Sequence, residues 1–435
     1  MRFAACSLLF LTAGASFKCA AASAVPHDFH DYDHAFNSVL PSRWYHDEDH
    51  PVHALFRRGN TDGITYAAIG SNGFPDTVDP TKLPQAWVDA YNKAKDAGKI
   101  PANVPVSTPS NSGFPTYGNL DPNGQVVCST TYQCRNNSTD IIWDAPDGVF
   151  ASSFDDGPLP TSQPLYEFLN ANNVTSTHFF IGTNILYNPN EFAYCWNTLG
   201  GDVAVHTWTH PYMTTLSDLA VVGELAWTMQ IIHNSTGGRL AKYWRPPYGD
   251  ADNRVVAIAK EVLGLTTVIW NQDTEDWSIG EGGGTTRQAV NQNLQKWITG
   301  PKSPGLIILE HELSNDTVGA FIQAFPLIAQ NGWKFESVTR MDGGAVYQNS
   351  ADANSSLTPA SVGVSVSPPS SSTIASSSTQ SGSSAGNNAA SAQSAQATGA
   401  GSSTAHNGAV ARLLSPVFAG AATLFGVLGA VLVLP

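Results

Sequence analysis

The chain has 435 residues, a formal net charge of −14, 42% hydrophobic residues and only 13% charged ones. That length is more than one ordinary domain needs and suits one large enzyme domain with tails. The acidic balance excludes a nucleic-acid surface, which requires clustered Lys and Arg.

Residues 1–24 read as a secretory signal. Arg2 supplies the positive start and Phe3 to Phe17 are mostly apolar or small. Ala22-Ser23-Ala24 then fits the small-x-small cleavage rule, so the mature chain is expected to begin near Val25. A membrane anchor is the alternative, but the run is short of the ~20 apolar residues a span needs.

Residues 25–147 are rich in Pro, Asn, Gly and His and read as an N-terminal extension packed on the domain after it, with one helix expected over Leu83–Ala97. Of five cysteines, Cys6 and Cys19 leave with the signal. Cys128, Cys134 and Cys195 remain, enough for one disulfide and one free thiol in an oxidising compartment. Cys128 with Cys134 closes a short loop and is the first candidate; pairing of either with Cys195 stays open. No CxxC pair occurs, which argues against a thiolate zinc site. Asn136, Asn137, Asn173, Asn234, Asn315 and Asn354 each begin an N-x-Ser/Thr triplet, the acceptor pattern for N-glycosylation.

From 148 to 346 the pattern changes. Expected strands are Val149–Phe154, Thr177–Ile181, Asp202–Val205, Tyr243–Trp244, Thr267–Trp270, Leu306–Leu309 and Trp333–Glu336. Expected helices are Gln163–Asn172, Leu216–His233, Asn253–Leu263, Gln288–Ile298 and Val318–Gln330. Such alternation implies a parallel sheet with covering helices, and this many units favour a distorted, incomplete (β/α) barrel over an open sheet. In barrels of this kind the chemistry gathers at the C-terminal ends of the strands.

Residues 347–407 are dominated by Ser, Ala, Thr and Gly, a composition with too little apolar surface to fold; they read as a disordered, O-glycosylated stalk. Residues 408–435 end in an apolar run from Val417 with no charge after Arg412. With a small-residue triplet at Asn407-Gly408-Ala409, this is the pattern of a glycosylphosphatidylinositol (GPI) signal, with Asn407 as attachment site and Ser402 or Ser403 as alternatives. A tail-anchored span is the competing reading.

Polar clusters follow the strands. Ser153-Phe154-Asp155-Asp156-Gly157-Pro158 places adjacent carboxylates after the first; alone it could be a solvated turn, but side-by-side carboxylates repel unless a cation or proton intervenes. His206-Thr207-Trp208-Thr209-His210 places two His at i and i+4, one face of a helical turn, which suits a divalent metal. One Asp and two His make three ligands and leave an open position, as a catalytic metal requires. Arg245-Pro246-Pro247-Tyr248, Asp273-Thr274-Glu275-Asp276-Trp277 and Leu309-Glu310-His311-Glu312 complete the set.

In that order the five clusters resemble the motifs of the polysaccharide deacetylases, carbohydrate esterase family 4, over 148–346, with Ser153 where Thr is usual and Glu312 where Asp often follows the His. Together with the extracellular signals, the chain is most similar to fungal GPI-anchored chitin deacetylases. The resemblance implies a metal-dependent hydrolysis of N-acetyl groups in chitin or chito-oligosaccharides, giving chitosan and acetate at the cell surface or wall. It implies that Asp156, His206 and His210 bind a divalent cation, zinc or alternatively cobalt, which polarises the acetamide and acidifies water. Asp155 becomes the general base, oriented by Arg245, and His311 the general acid, held by Asp276. Tyr248 donates its backbone N–H to the oxyanion, and Trp277 and Leu309 wall the acetyl pocket. The expected protein is a monomer that meets the membrane only through its lipid and binds no nucleic acid. Alternatives are a deacetylase of xylan or peptidoglycan, and a wall mannoprotein without catalysis. A glycosidase is disfavoured, because adjacent Asp155 and Asp156 do not supply the ~5–9 Å carboxyl separation across a glycosidic bond.

Overall fold

The computed structural model describes residues 73–110, 114–135 and 140–364. The expected signal, most of the stalk, the GPI signal with Asn407, and Asn136 and Asn137 lie outside the described residues. None of the described helices is long and apolar enough to cross a membrane.

Among the described residues, nine strands form one all-parallel sheet: β1 (Ile141–Ile142), β2 (Val149–Asp155), β3 (Thr177–Phe180), β4 (Asp202–Val205), β5 (Tyr243–Trp244), β6 (Thr266–Val268), β7 (Gln272–Asp273), β8 (Leu306–Leu309) and β9 (Lys334–Ser337). The order is β1-β6-β5-β4-β3-β2-β8-β7, and β9 lies along the first half of β2, on the edge that β3 occupies in the second half. The sheet curls into a half-barrel, the distorted barrel expected from the alternation. Strands β2, β3, β4 and β8 are buried along their whole length and are mostly apolar or small, as parallel strands covered on both faces tend to be, with Asp155, His178 and Asp202 as the polar exceptions.

The helices are α1 (Gln85–Asp96), α2 (Gln163–Ala171), α3 (Gly182–Tyr187), α4 (Pro189–Tyr194), α5 (Asp218–Ser235), α6 (Asn253–Leu263), α7 (Arg287–Ile298) and α8 (Asn315–Gln330). Their starts follow from capping. Ser217, Asp252, Thr286 and Ser314 each accept a hydrogen bond from the N–H three residues on, satisfying a donor the helix itself cannot. Gly264, in the left-handed region at φ 68°, ends α6. Helix α5 is buried on nearly every side, between the sheet and the N-terminal segment: Trp227 packs edge-on against Trp87 of α1 at 4.7 Å. Large aromatic rings of this kind contribute about 0.5–1.5 kcal/mol per pair beyond their area.

Two boundaries differ from expectation. The sheet begins at Ile141, before 148, because β1 pairs with β6. The chain also stays packed beyond 346: Tyr347 and Val362 are buried, Asn349 donates to the Gly238 carbonyl at 2.9 Å, and Gln348 donates to Leu263 at 2.8 Å. Short helices α3 and α4 and the two-residue strand β7 were not expected, since each is too short to show a period. Cys128 and Cys134 form the disulfide, and Cys195 is free and buried.

Candidate active site

Register brings the five clusters to one rim. His206 donates its backbone N–H to Phe180 at the end of β3, and Arg245 to Val205 at the end of β4. Asp155 bridges His311 in parallel register: its N–H reaches the Glu310 carbonyl at 3.0 Å, and Glu312 N–H returns to the Asp155 carbonyl at 3.2 Å. Asp155, Asp156, His206, Arg245, Asp276 and His311 are all buried, and His210 is partly exposed.

Asp156 Oδ1 lies 3.3 Å from both His206 Nε2 and His210 Nε2. Asp156, His206 and His210 offer one donor atom each, all within 4.8 Å of one another. His206 Nδ1 sits 2.7 Å from the Arg245 carbonyl, which can only accept. Nδ1 is therefore the donor there, and the opposite ring nitrogen, Nε2, faces a carboxylate oxygen. That oxygen, Asp156 Oδ1, is buried and has no hydrogen-bond partner. Acceptors converging on a buried acceptor fit a divalent cation.

The i, i+4 spacing of the histidines is not helical, contrary to expectation. Thr207 and His210 have φ of 66° and 60°, so the segment is a left-handed bend. Glu224, from α5, holds it: its carboxylate accepts the Trp208 and Thr209 N–H groups at 2.8 Å each and the Thr209 hydroxyl at 2.6 Å. Gly182 allows the close approach, since a Cβ there would meet the Trp208 ring at 2.1 Å. Sequence reading passed over Glu224. The signal was a lone carboxylate in the apolar run Val221–Met229, where a charge must find partners.

Asp155 and Arg245 form a buried pair, Oδ1 to Nη1 at 2.7 Å. Nη2 donates to Ser153 Oγ at 3.0 Å, which gives the Ser153 hydroxyl its use. The guanidinium also stacks over the Phe179 ring at 4.3 Å. Asp276 Oδ1 lies 2.6 Å from His311 Nδ1, and Oδ2 accepts the His311 backbone N–H at 2.9 Å. Burial would lower the His311 pKa; the Asp276 charge and hydrogen bond, with Asp156 and Asp155 behind them, push it up to about 10. With Nδ1 engaged, Nε2 is the free end, 3.9 Å from Asp156 Oδ2.

Tyr248 is 51% exposed, its ring stacked on Tyr212 at 4.1 Å and edge-on to His210 at 4.7 Å. Trp277 is 54% exposed at the rim, whereas Leu309 is buried beneath it in β8. Below the rim, His178 Nδ1 pairs with Glu312 at 3.1 Å, both fully buried. Glu312 fills the space over Gly157, where a Cβ would meet its Cδ at 2.4 Å. Of the glycosylation candidates, Asn173, Asn315 and Asn354 are exposed; Asn234 is partly buried in α5 and accepts from Gln230 at 2.8 Å.

Residues 144–268 match a family model described as polysaccharide deacetylase. The chain is 42% identical over 321 residues to chitin deacetylase 3 of Cryptococcus neoformans, covering 72% of this chain and 76% of that one. It is 34% identical over 258 residues to the chitin deacetylase of Amylomyces rouxii, covering 56% of this chain and 58% of that one. Among solved structures, the chitin deacetylase of Colletotrichum lindemuthianum aligns with a TM-score of 0.44 at 23% identity, over 48% of this chain and 95% of the other.

Proposed function

As a member of the polysaccharide deacetylase family, to which this chain belongs, the protein is, we propose, a chitin deacetylase that hydrolyses N-acetyl groups to free amine and acetate. The observation that carries the reading is the unpartnered Asp156 oxygen facing two imidazole nitrogens, beside a base and an acid that are each held in place.

Asp156, His206 and His210 would hold a divalent cation, proposed to be zinc, which supplies Lewis acidity toward the acetyl carbonyl and toward water. Asp155 takes the proton of the attacking water. Its Oδ1 is fixed by Arg245, so Oδ2, on the side of His206 at 3.9 Å, is the oxygen free to do so. The backbone N–H of Tyr248 donates to the developing oxyanion, a contribution of about 3–4 kcal/mol for one such donor. His311 then protonates the departing nitrogen from Nε2, while Asp276 keeps the ring protonated and oriented. An amine leaves poorly unless protonated, so a charged, buried imidazolium suits an amide substrate. Trp277 and Leu309 bound the acetyl methyl.

The same proposal places the protein outside the cell, tethered by a GPI lipid at or near Asn407 and raised on a Ser/Thr-rich stalk. The apolar runs 3–17 and 417–435 and the Cys128–Cys134 disulfide support it, because disulfides persist in oxidising compartments. Incubation with N-acetylglucosamine oligomers, with and without a chelator, tests the activity. Mass spectrometry should show losses of acetyl groups that the chelator stops. Intact oligomers in both arms would end the reading, and phospholipase release from cells tests the lipid.

A further inference from the structure

Tyr248 has φ 59° and ψ 12°, a left-handed conformation disfavoured for an aromatic residue. Such backbone persists only where its surroundings over-determine it. Within the loop, Gly249 N–H reaches the Pro246 carbonyl at 3.0 Å and Asp250 N–H the Pro247 carbonyl at 2.9 Å. Tyr212 and Thr214 brace it from one side, and further restraints come from upstream of the residues that match the family model, from the turn Thr130–Tyr132.

Thr130 is 1% exposed, and its hydroxyl makes three polar contacts, one of them to the Ala251 carbonyl at 3.1 Å. It donates to the Gly249 carbonyl at 2.6 Å and accepts the Ala251 N–H at 3.0 Å. Its own N–H donates to the Ala251 carbonyl at 2.8 Å. Next to it, the Thr131 hydroxyl donates to Asp250 Oδ1 at 3.0 Å, and the same carboxylate accepts the Thr214 N–H at 2.8 Å. The Cys128–Cys134 disulfide closes this turn. A hydroxyl is the group that can donate to one peptide and accept from another through a single atom, and here the two are the 249–250 and 250–251 peptides, just beyond the one that joins Tyr248 to Gly249.

We infer that Thr130 is a positioning residue for the reaction: its hydroxyl clamps Gly249 and Ala251 and thereby aims the Tyr248 N–H at the oxyanion. The disulfide-closed turn is then part of the catalytic apparatus, although it precedes the matched domain. This rests on the deacetylase reading and on the role of the Tyr248 N–H. No contact is seen between Thr130 and a proposed cation ligand among the described residues, so its loss should spare cation binding, and Thr130 is buried, so substrate affinity should change little.

The test uses the whole secreted chain with Thr130→Val, which keeps the shape and removes the hydroxyl, and Thr130→Ser, which restores it. Two readouts are needed: steady-state acetate release, and hydrogen exchange at the amides of 248–251. Thr130→Val should lower kcat about tenfold or more with KM within about twofold, part of the 10²–10³ that a whole oxyanion donor is worth. Cation content should match the parent, amide exchange should quicken, and Thr130→Ser should recover both readouts. Unchanged kcat and unchanged exchange in Thr130→Val would overturn the inference, as would an equal loss in Thr130→Ser. If Thr130→Val does not fold, the Cys128→Ser, Cys134→Ser double variant, which frees the turn and keeps the hydroxyl, is read in the same two assays. Loss of kcat with faster exchange supports the clamp; parent-like values in both refute it. If the parent releases no acetate from any oligomer, the deacetylase reading fails, and amide exchange alone still decides whether Thr130 holds the loop.

Discussion

Asp276→Asn isolates the charge that keeps His311 an acid. The substitution preserves shape and still accepts the His311 backbone N–H, which Asp276 Oδ2 now receives at 2.9 Å. What it removes is a negative charge whose Oδ1 lies 2.6 Å from His311 Nδ1 in a buried setting. Charge centres ~4 Å apart at an effective dielectric of ~20 attract by ~4 kcal/mol. At ~1.4 kcal/mol per pKa unit that is ~3 units, the larger part of what lifts His311 from 6.5 to about 10 against burial, with the Asp276 hydrogen bond and the Asp156 and Asp155 charges supplying the rest. His311 acts protonated, so activity is lost as pH rises through its folded pKa. Removing the charge should move the basic limb of kcat/KM down by roughly three units. A cation beside Asp156 lowers parent and variant together, so the displacement between them is the measured quantity. With the variant limb at ~7, only about one His311 in 10 is protonated at pH 8, and the loss there should be about 10-fold, shrinking toward pH 6. The assay is acetate release from a defined oligomer across pH 5 to 10. An activated aryl acetate, whose leaving group needs no proton, should lose far less. Superimposable profiles for parent and variant would refute the assignment of His311 and Asp276.

Asp155→Asn should cost about 10²–10⁴-fold in kcat, the usual worth of a general base, while elemental analysis still finds the cation; loss of the cation would make Asp155 a ligand instead. His206→Ala should lose both cation and activity. In the parent, adding the cation at about 100 times its Kd should raise stability by ~2.7 kcal/mol, readable as a higher Tm that the variant does not show. Gly157→Ala would drive a methyl into Glu312 and press it off His178; a loss of about 1–3 kcal/mol in denaturant unfolding is expected, the usual scale of overpacking.

The residue types of the site were legible because they are local. Asp155 and Asp156 are neighbours, His206 and His210 are four apart, and strand–helix alternation already sends every strand end to one rim. Short pieces were not legible: β7 has two residues and α3 and α4 six each, below the length at which a period appears. Boundaries at 148 and 346 followed changes in composition, which do not register that Ile141 pairs with Thr267 or that Gln348 reaches Leu263.

Spacing also misled at one point. Two His at i, i+4 are compatible with a helix and equally with the bend seen here, and the choice is made by Glu224, 15 and 16 residues away from the N–H groups it accepts. Sequence by itself therefore determined which groups are the candidates for the chemistry and that a parallel barrel-like sheet collects them, because side-chain chemistry and period are written residue by residue. Tertiary structure alone decided that Asp156 Oδ1 is left without a donor, that Asp276 charges His311, and that Thr130 reaches across 119 positions to hold Gly249. Those are pairings between distant segments, set by packing and register, and no local pattern encodes them.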